Sequence, residues 1–144
     1  MAGPEKIAAV PNMSGFLFVY GTLARNARHE MHQYLVRHAD YAGHAVFNGQ
    51  LFQVGHYPGA VPSSNPEDKV FGELYRVSDP GDLFAALDDY EGCGPHDPAP
   101  TEYVRRTMPV SQDGVELQAW IYLFDRDVTG LPRIMSGHFA MQGD

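Results

Sequence analysis

The dipeptide Asp113-Gly114 separates two stretches of strand chemistry, residues 103–110 and 115–124. Asp-Gly favours a two-residue turn with both residues at positive φ, the geometry that matches strand twist, so it predicts an antiparallel hairpin. Side chains alternate across a strand, which puts Val115, Leu117, Ala119, Ile121 and Leu123 on one side of the second arm. Its other side carries Trp120, Tyr122 and Phe124 after two polar residues. A strand that is apolar on both sides at its far end is expected to be covered there on both.

The rest of the chain continues this pattern of short strands. Residues 16–20 (Phe-Leu-Phe-Val-Tyr) form a continuous apolar run stopped by Gly21, which reads as a buried strand. Met31, Tyr34 and Leu35 fall at helical spacing within residues 28–38. Residues 41–54 hold two strand-like pieces broken at Asn48-Gly49, a dipeptide suited to a tight hairpin. Residues 56–68 contain three prolines and several turn residues and are expected to be loop. Residues 70–77 return to strand chemistry. A helix then opens with Asp79 as N-cap, Pro80 at its first position and Asp82 in its first turn. Leu83, Phe84 and Leu87 form its buried stripe, Gly92 is a natural stop, and residues 93–100 are loop. Many short strands with two modest helices predict a mixed α+β domain, a small β-barrel with flanking short helices.

A length of 144 residues suits one core, read as a flexible extension over 1–15 and a single domain over 16–144. Apolar residues at 44% and charged residues at 19% describe an ordinary globular balance. Ten Lys and Arg against 18 Asp and Glu leave a net charge of −8, which opposes binding to a phosphate backbone. Nucleic acid is therefore not an expected partner. The single cysteine, Cys93, precludes an internal disulfide framework and fits a reducing compartment. No run approaches the roughly 20 apolar residues of a membrane span, and the first 15 residues lack the apolar centre of a secretory signal. These features lead us to expect a cytoplasmic protein with no membrane partner.

Standard nucleotide motifs are absent. His29 and His32 lie one helical turn apart, but no third ligand follows at a recognisable spacing, so no metal site is expected. Cys93 beside His96 is a thin basis for a nucleophile. Two segments carry more. Tyr20-Gly21-Thr22-Leu23 ends a buried strand in a turn able to present successive backbone N–H groups to a carboxylate, or is simply where a strand stops. Leu87-Asp88-Asp89-Tyr90-Glu91-Gly92 crowds three acids at a helix C-terminus, where the dipole disfavours them. It reads equally as a proton-transfer site or as a solvated helix end. Glu73 shares a strand side with Phe71, Tyr75 and Val77, which implies a core partner or a polar pocket. Arg105, on the side of Tyr103, suits an acid as partner.

In order and spacing these pieces resemble the γ-glutamylcyclotransferase family, in particular its γ-glutamylamine cyclotransferase-like branch. The resemblance is carried by Phe18-Val19-Tyr20-Gly21-Thr22-Leu23, Tyr57-Pro58, Gly72-Glu73-Leu74-Tyr75, Leu87 to Gly92, Tyr103-Val104-Arg105, Ala119-Trp120-Ile121-Tyr122 and Ser136-Gly137-His138-Phe139. It implies a small barrel with a cavity at one end, and an enzyme that releases an amine from a γ-glutamyl compound while cyclising the glutamyl part to 5-oxoproline. By position, Tyr20, Gly21, Thr22 and Leu23 would hold the substrate's α-carboxylate and neighbouring groups, and Glu91 would be the acid/base residue. Tyr57, Glu73, Tyr103 and Arg105 would complete the substrate-binding set, with no cofactor. The alternative is a non-catalytic module that binds a small carboxylated metabolite or a protein partner in the same pocket.

Overall fold

The computed structural model describes residues 15–21, 30–55, 57–78, 80–91 and 102–139, with backbone alone at 30–32 and 89–91. In chain order the elements are β1 (Phe16–Val19), α1 (Glu30–His38), β2 (Ala39–Phe47), β3 (Gly49–Val54), β4 (Tyr57–Pro62), β5 (Val70–Val77), α2 (Pro80–Glu91), β6 (Tyr103–Gln112) and β7 (Val115–Phe124). Five of the strands close into a barrel in the order β1-β5-β2-β6-β7, while β3 and β4 form a separate two-stranded sheet. The barrel is antiparallel from β1 round to β7, with Val19 opposite Glu73, His44 opposite Glu73, Phe47 opposite Val110 and Arg105 opposite Tyr122. It closes through a parallel contact of β1 with β7, at Leu17 and Trp120.

Strand alternation divides the apolar residues between two cores. Inside the barrel Phe18, Phe47, Leu74, Val110, Ala119 and Ile121 meet Leu51 and Ala60 of the small sheet. Outside it, Leu17, Val19, Tyr75, Val77 and Tyr122 pack under Leu35 of α1 and Leu83, Phe84 and Leu87 of α2. The double coverage expected at the far end of β7 is present, with Ile121 and Leu123 inward and Tyr122 outward. Val115, at the start of that strand, is 57% exposed. The turn that joins β6 to β7 has φ of 52° at Asp113 and 81° at Gly114, as the dipeptide predicts.

Two local expectations are corrected. Asn48-Gly49 is not a hairpin: β2 pairs with β5 and β6, and β3 turns away to pair with β4. Neither residue has the positive φ that a tight hairpin of that type requires. Asn48 instead uses its side-chain amide to donate to the Asn65 and Asp68 carbonyls, which makes a corner. Residues 57–62, read as loop, form β4. Pro58 and Pro62 are tolerated because β4 is paired on one side only, so their missing N–H groups break no second ladder. Helix α2 begins at Pro80, with Asp82 in its first turn, and buries the expected Leu83, Phe84 and Leu87. Residues 1–14, His29, Asp79, Gly92, Cys93 and His96 lie outside the described residues.

The segment after β7 returns across the small sheet. Gln53 N donates to the Pro132 carbonyl at 2.9 Å, Ile134 N to that of Leu51 at 2.7 Å, and Phe71 N to that of Gly137 at 2.9 Å. Asp68 anchors it electrostatically, accepting from Ser63 Oγ at 2.7 Å, Gln50 Nε2 at 2.9 Å and Arg133 Nη2 at 2.9 Å. The Ser63 bond, then those of Gln50 and Arg133, hold the Asp68 carboxyl down to about 2. Its folded-state pKa thus lies below the unfolded one, so its contribution is present above about pH 4 and is lost as pH falls through about 2. An Asp68→Asn variant should show a shallower loss of stability over that window than the wild type, measured as urea midpoint against pH.

Gly137 is conformationally required. It has φ of +75°, and a Cβ there would stand 2.1 Å from the Lys69 carbonyl oxygen. Gly137→Ala should therefore lower stability by roughly 2 kcal/mol or more, read from the urea midpoint at constant slope.

Candidate active site

Strand register sets five residues at one level around the outer wall of the barrel. Glu73 on β5 has His44 on one side and Val19 on the other. Because β1 runs parallel to β7 with Leu17 beside Trp120, Val19 is level with Tyr122, whose partner on β6 is Arg105. With strands about 4.8 Å apart, Glu73 and Tyr122 are two spacings from each other, on either side of the strand that leads into Tyr20-Gly21.

A cavity of about 700 Å³ opens beside this row, with Tyr20, His44, Gly72, Glu73, Gln112 and His138 in its lining. Glu73 is the one charged side chain buried among the described residues, at 9% exposure. It accepts from Tyr75 Oη at 3.0 Å. His138 stacks on Phe71 with ring centroids 4.3 Å apart, which fastens the returning C-terminal segment to the cavity's edge.

On the other side of Val19, the last turns of α2 are docked by Asp88. Arg105 binds it with a two-pronged ion pair, Nε to Oδ1 at 2.8 Å and Nη2 to Oδ2 at 3.0 Å, and Tyr122 Oη donates to Oδ1 at 2.6 Å. The guanidinium lies 4.3 Å from the Phe84 ring centroid and 4.5 Å from that of Trp120. An acid near a helix C-terminus is locally unfavourable, and this cation with two aromatic faces is the compensation that sequence alone does not reveal. Position 91 is three residues beyond Asp88 and seven beyond Phe84, on the same stripe of α2.

The residues singled out from the sequence divide accordingly. Tyr20 and Glu73 line the cavity. The Tyr20 hydroxyl is engaged inside the barrel, donating to the Tyr122 carbonyl and accepting from Ala60 N. Gly21 sits against Pro58, so close that a Cβ would stand 2.8 Å from the proline Cγ. That contact brings Tyr57-Pro58 to the strand end. Tyr57 itself is 55% exposed, while Tyr103 is buried and donates to the Pro58 carbonyl at 2.9 Å. Arg105 holds α2 through Asp88. Thr22 and Leu23 lie outside the described residues, and Glu91 is placed by backbone only, as the last residue of α2. Asp88 and Tyr122 received no role from the sequence. Their signal was an acid where the helix dipole opposes one and a tyrosine on the covered side of β7.

Fold and cavity together define a small α+β barrel protein with a carboxylate-bearing pocket in its wall. The chain belongs to the gamma-glutamyl cyclotransferase, AIG2-like family, whose model matches residues 17–141. It is 34% identical over 123 residues to the gamma-glutamylcyclotransferase family protein YtfP of Escherichia coli K12, covering 84% of this chain and 92% of that one. The solution structure of E. coli ytfP superposes with a TM-score of 0.59 at 31% identity, over 90% of this chain and 99% of that one. YkqA of Bacillus subtilis gives a TM-score of 0.66 at 26% identity, and there the match spans 88% of this chain but 40% of YkqA. An aig2-like protein from Mus musculus shares the fold, with a TM-score of 0.67 at 22% identity over 90% of each chain. No helix among the described residues is long and apolar enough to cross a membrane.

Removing the Asp88 carboxylate leaves Arg105 without its two-pronged acceptor in a part-buried site. Asp88→Ala should cost about 2 kcal/mol and Tyr122→Phe about 1 kcal/mol, the usual scale for a charge-assisted and a single hydrogen bond. Urea unfolding of the two variants checks the order.

Proposed function

We propose that the protein is a γ-glutamylcyclotransferase-type enzyme that releases an amine or peptide from a γ-glutamyl compound and forms 5-oxoproline, with Glu91 as general acid/base. Family membership supports the reaction class. One geometric observation supports the site: the strand entering Gly21, buried Glu73 and the Asp88-anchored end of α2 stand side by side on one wall.

In this reading the backbone N–H groups from Tyr20 to Leu23 hold the substrate's α-carboxylate and bend the glutamyl chain towards attack. Glu91 takes a proton from the α-ammonium, and the freed amine attacks the γ-carbonyl carbon to give a tetrahedral intermediate. As the lactam forms, the bond to the leaving nitrogen breaks and Glu91 returns a proton to it. The α-nitrogen loses two protons over the whole reaction and the leaving amine gains two, so atoms and charge balance. The attacking nucleophile belongs to the substrate, so the step calls for no nucleophile from the protein. Backbone donors stabilise the oxyanion.

A 5-oxoproline release screen over γ-glutamyl amines and peptides, run beside Glu91→Gln, tests the reading. We expect release by the wild type and a loss of at least roughly 100-fold in the variant, with ligand binding retained by calorimetry. Full turnover by Glu91→Gln would overturn its role. Wild-type binding without 5-oxoproline would instead favour a non-catalytic module.

A further inference from the structure

We infer that the cavity end formed by Val46, Phe71, His138 and Phe139 is the subsite for the leaving amine, and that it takes an uncharged arylalkyl group. The inference deepens the γ-glutamyl reading and rests on it for the glutamyl part lying at the Tyr20 end.

Strand register divides the lining into two rows. Val19, Glu73 and His44 stand side by side on β1, β5 and β2. The next row on the same face is Phe71, Val46 and Ser111, on β5, β2 and β6. All six residues line the one cavity. The rows are two residues apart along β5, which is about 7 Å. A substrate with its glutamyl part at the first row therefore carries its leaving group over the second. The volume of about 700 Å³ suits a drug-sized ligand rather than a single amino acid.

The second row differs from the first in chemistry. Val19 is packed into the outer core, whereas Phe71 and Val46 belong to neither core and are half-buried. Their neighbours are aromatic. The His138 ring lies on that of Phe71 with centroids 4.3 Å apart and planes 4° from parallel, and Phe139 follows in the lining. An apolar wall left out of both cores and facing a cavity suits an apolar part of a ligand. An aryl group gains an edge or offset contact with Phe71 in addition to its apolar burial. Charge then narrows the class. Asp113, in the β6–β7 turn, lines the cavity beyond Ser111, and among the described residues the lining contains no lysine or arginine. A leaving group with its own carboxylate would lose hydration there and meet Asp113 instead of a guanidinium or ammonium. An uncharged amine substituent is therefore favoured over an amino acid.

Three ligands separate the ring from the charge: γ-glutamyl-ethylamide, γ-glutamyl-phenethylamide, which adds the ring, and γ-glutamyl-phenylalanine, which adds a carboxylate to that. Each is titrated calorimetrically into the full chain carrying Glu91→Gln, at about pH 8, where a free imidazole is neutral. We expect the phenethylamide to bind roughly 10- to 100-fold more tightly than the ethylamide, as for burial of a ring. γ-Glutamyl-phenylalanine should bind at least roughly 10-fold more weakly than the phenethylamide. Val46→Ala should weaken the phenethylamide about 3- to 10-fold and shrink its advantage over the ethylamide. Asp113→Asn, which keeps a turn-forming residue before Gly114, should strengthen γ-glutamyl-phenylalanine about 2- to 5-fold relative to the phenethylamide. Equal affinity for the ethylamide and the phenethylamide, or γ-glutamyl-phenylalanine binding as tightly as the phenethylamide, would overturn the assignment and leave the γ-glutamyl reading standing. Preferences unchanged in both variants would also count against this subsite. Failure of all three ligands to bind would overturn the γ-glutamyl reading together with this inference.

Discussion

The parallel pairing of β1 with β7 is the contact on which the site depends. Every other ladder of the barrel is antiparallel, and the order β1-β5-β2-β6-β7 would leave β1 and β7 as opposite edges of an open sheet. Closure at Leu17 and Trp120 joins those edges. It places β1 between β5 and β7, and so between Glu73 and Tyr122. The cavity and the helix docking point therefore flank the seam of the barrel. Closure also removes the exposed strand edges that an open sheet of this size would present.

Helix α2 is attached to the wall in two ways that work together. Leu83, Phe84 and Leu87 supply apolar contact with Leu17, Tyr75 and Tyr122. That contact is non-directional and would tolerate sliding along the helix axis. The Asp88–Arg105 ion pair and the Tyr122 hydrogen bond are directional, and they set how far the end of the helix reaches along the wall. Arg105 suits this task because its planar guanidinium grips a carboxylate through two bonds while its faces lie on Phe84 and Trp120.

Elements with a strong local signal were legible in the sequence. The β6–β7 hairpin follows from Asp113-Gly114 and the alternation beyond it, and α2 follows from Pro80, Asp82 and its apolar stripe. Elements whose state depends on distant partners were not. Asn48-Gly49 has hairpin chemistry, but β2 finds its neighbours in β5 and β6, so the dipeptide becomes a corner. Residues 57–62 carry two prolines and read as loop, yet an edge position next to β3 admits them as a strand. At the site, Glu73 could be marked as a buried acid on a strand, and the last turn of α2 as an acid cluster against the helix dipole. Arg105 could likewise be marked as suited to an acid, but Asp88 is 17 residues away in sequence and no local pattern says which acid it binds.

What the sequence by itself determined is every short strand but β4, the two helices, the chemistry of each face and the order of the motifs. These are local or periodic properties, settled by φ preference, side-chain volume and alternation. Only the tertiary structure decided that Glu73, Val19, Tyr122 and Arg105 share one level, because register between strands distant in the chain is chosen by the simultaneous packing of two cores. Only it decided, for the same reason, that Tyr20 turns its hydroxyl inward to β4 and β7 while Arg105 turns its charge outward to α2.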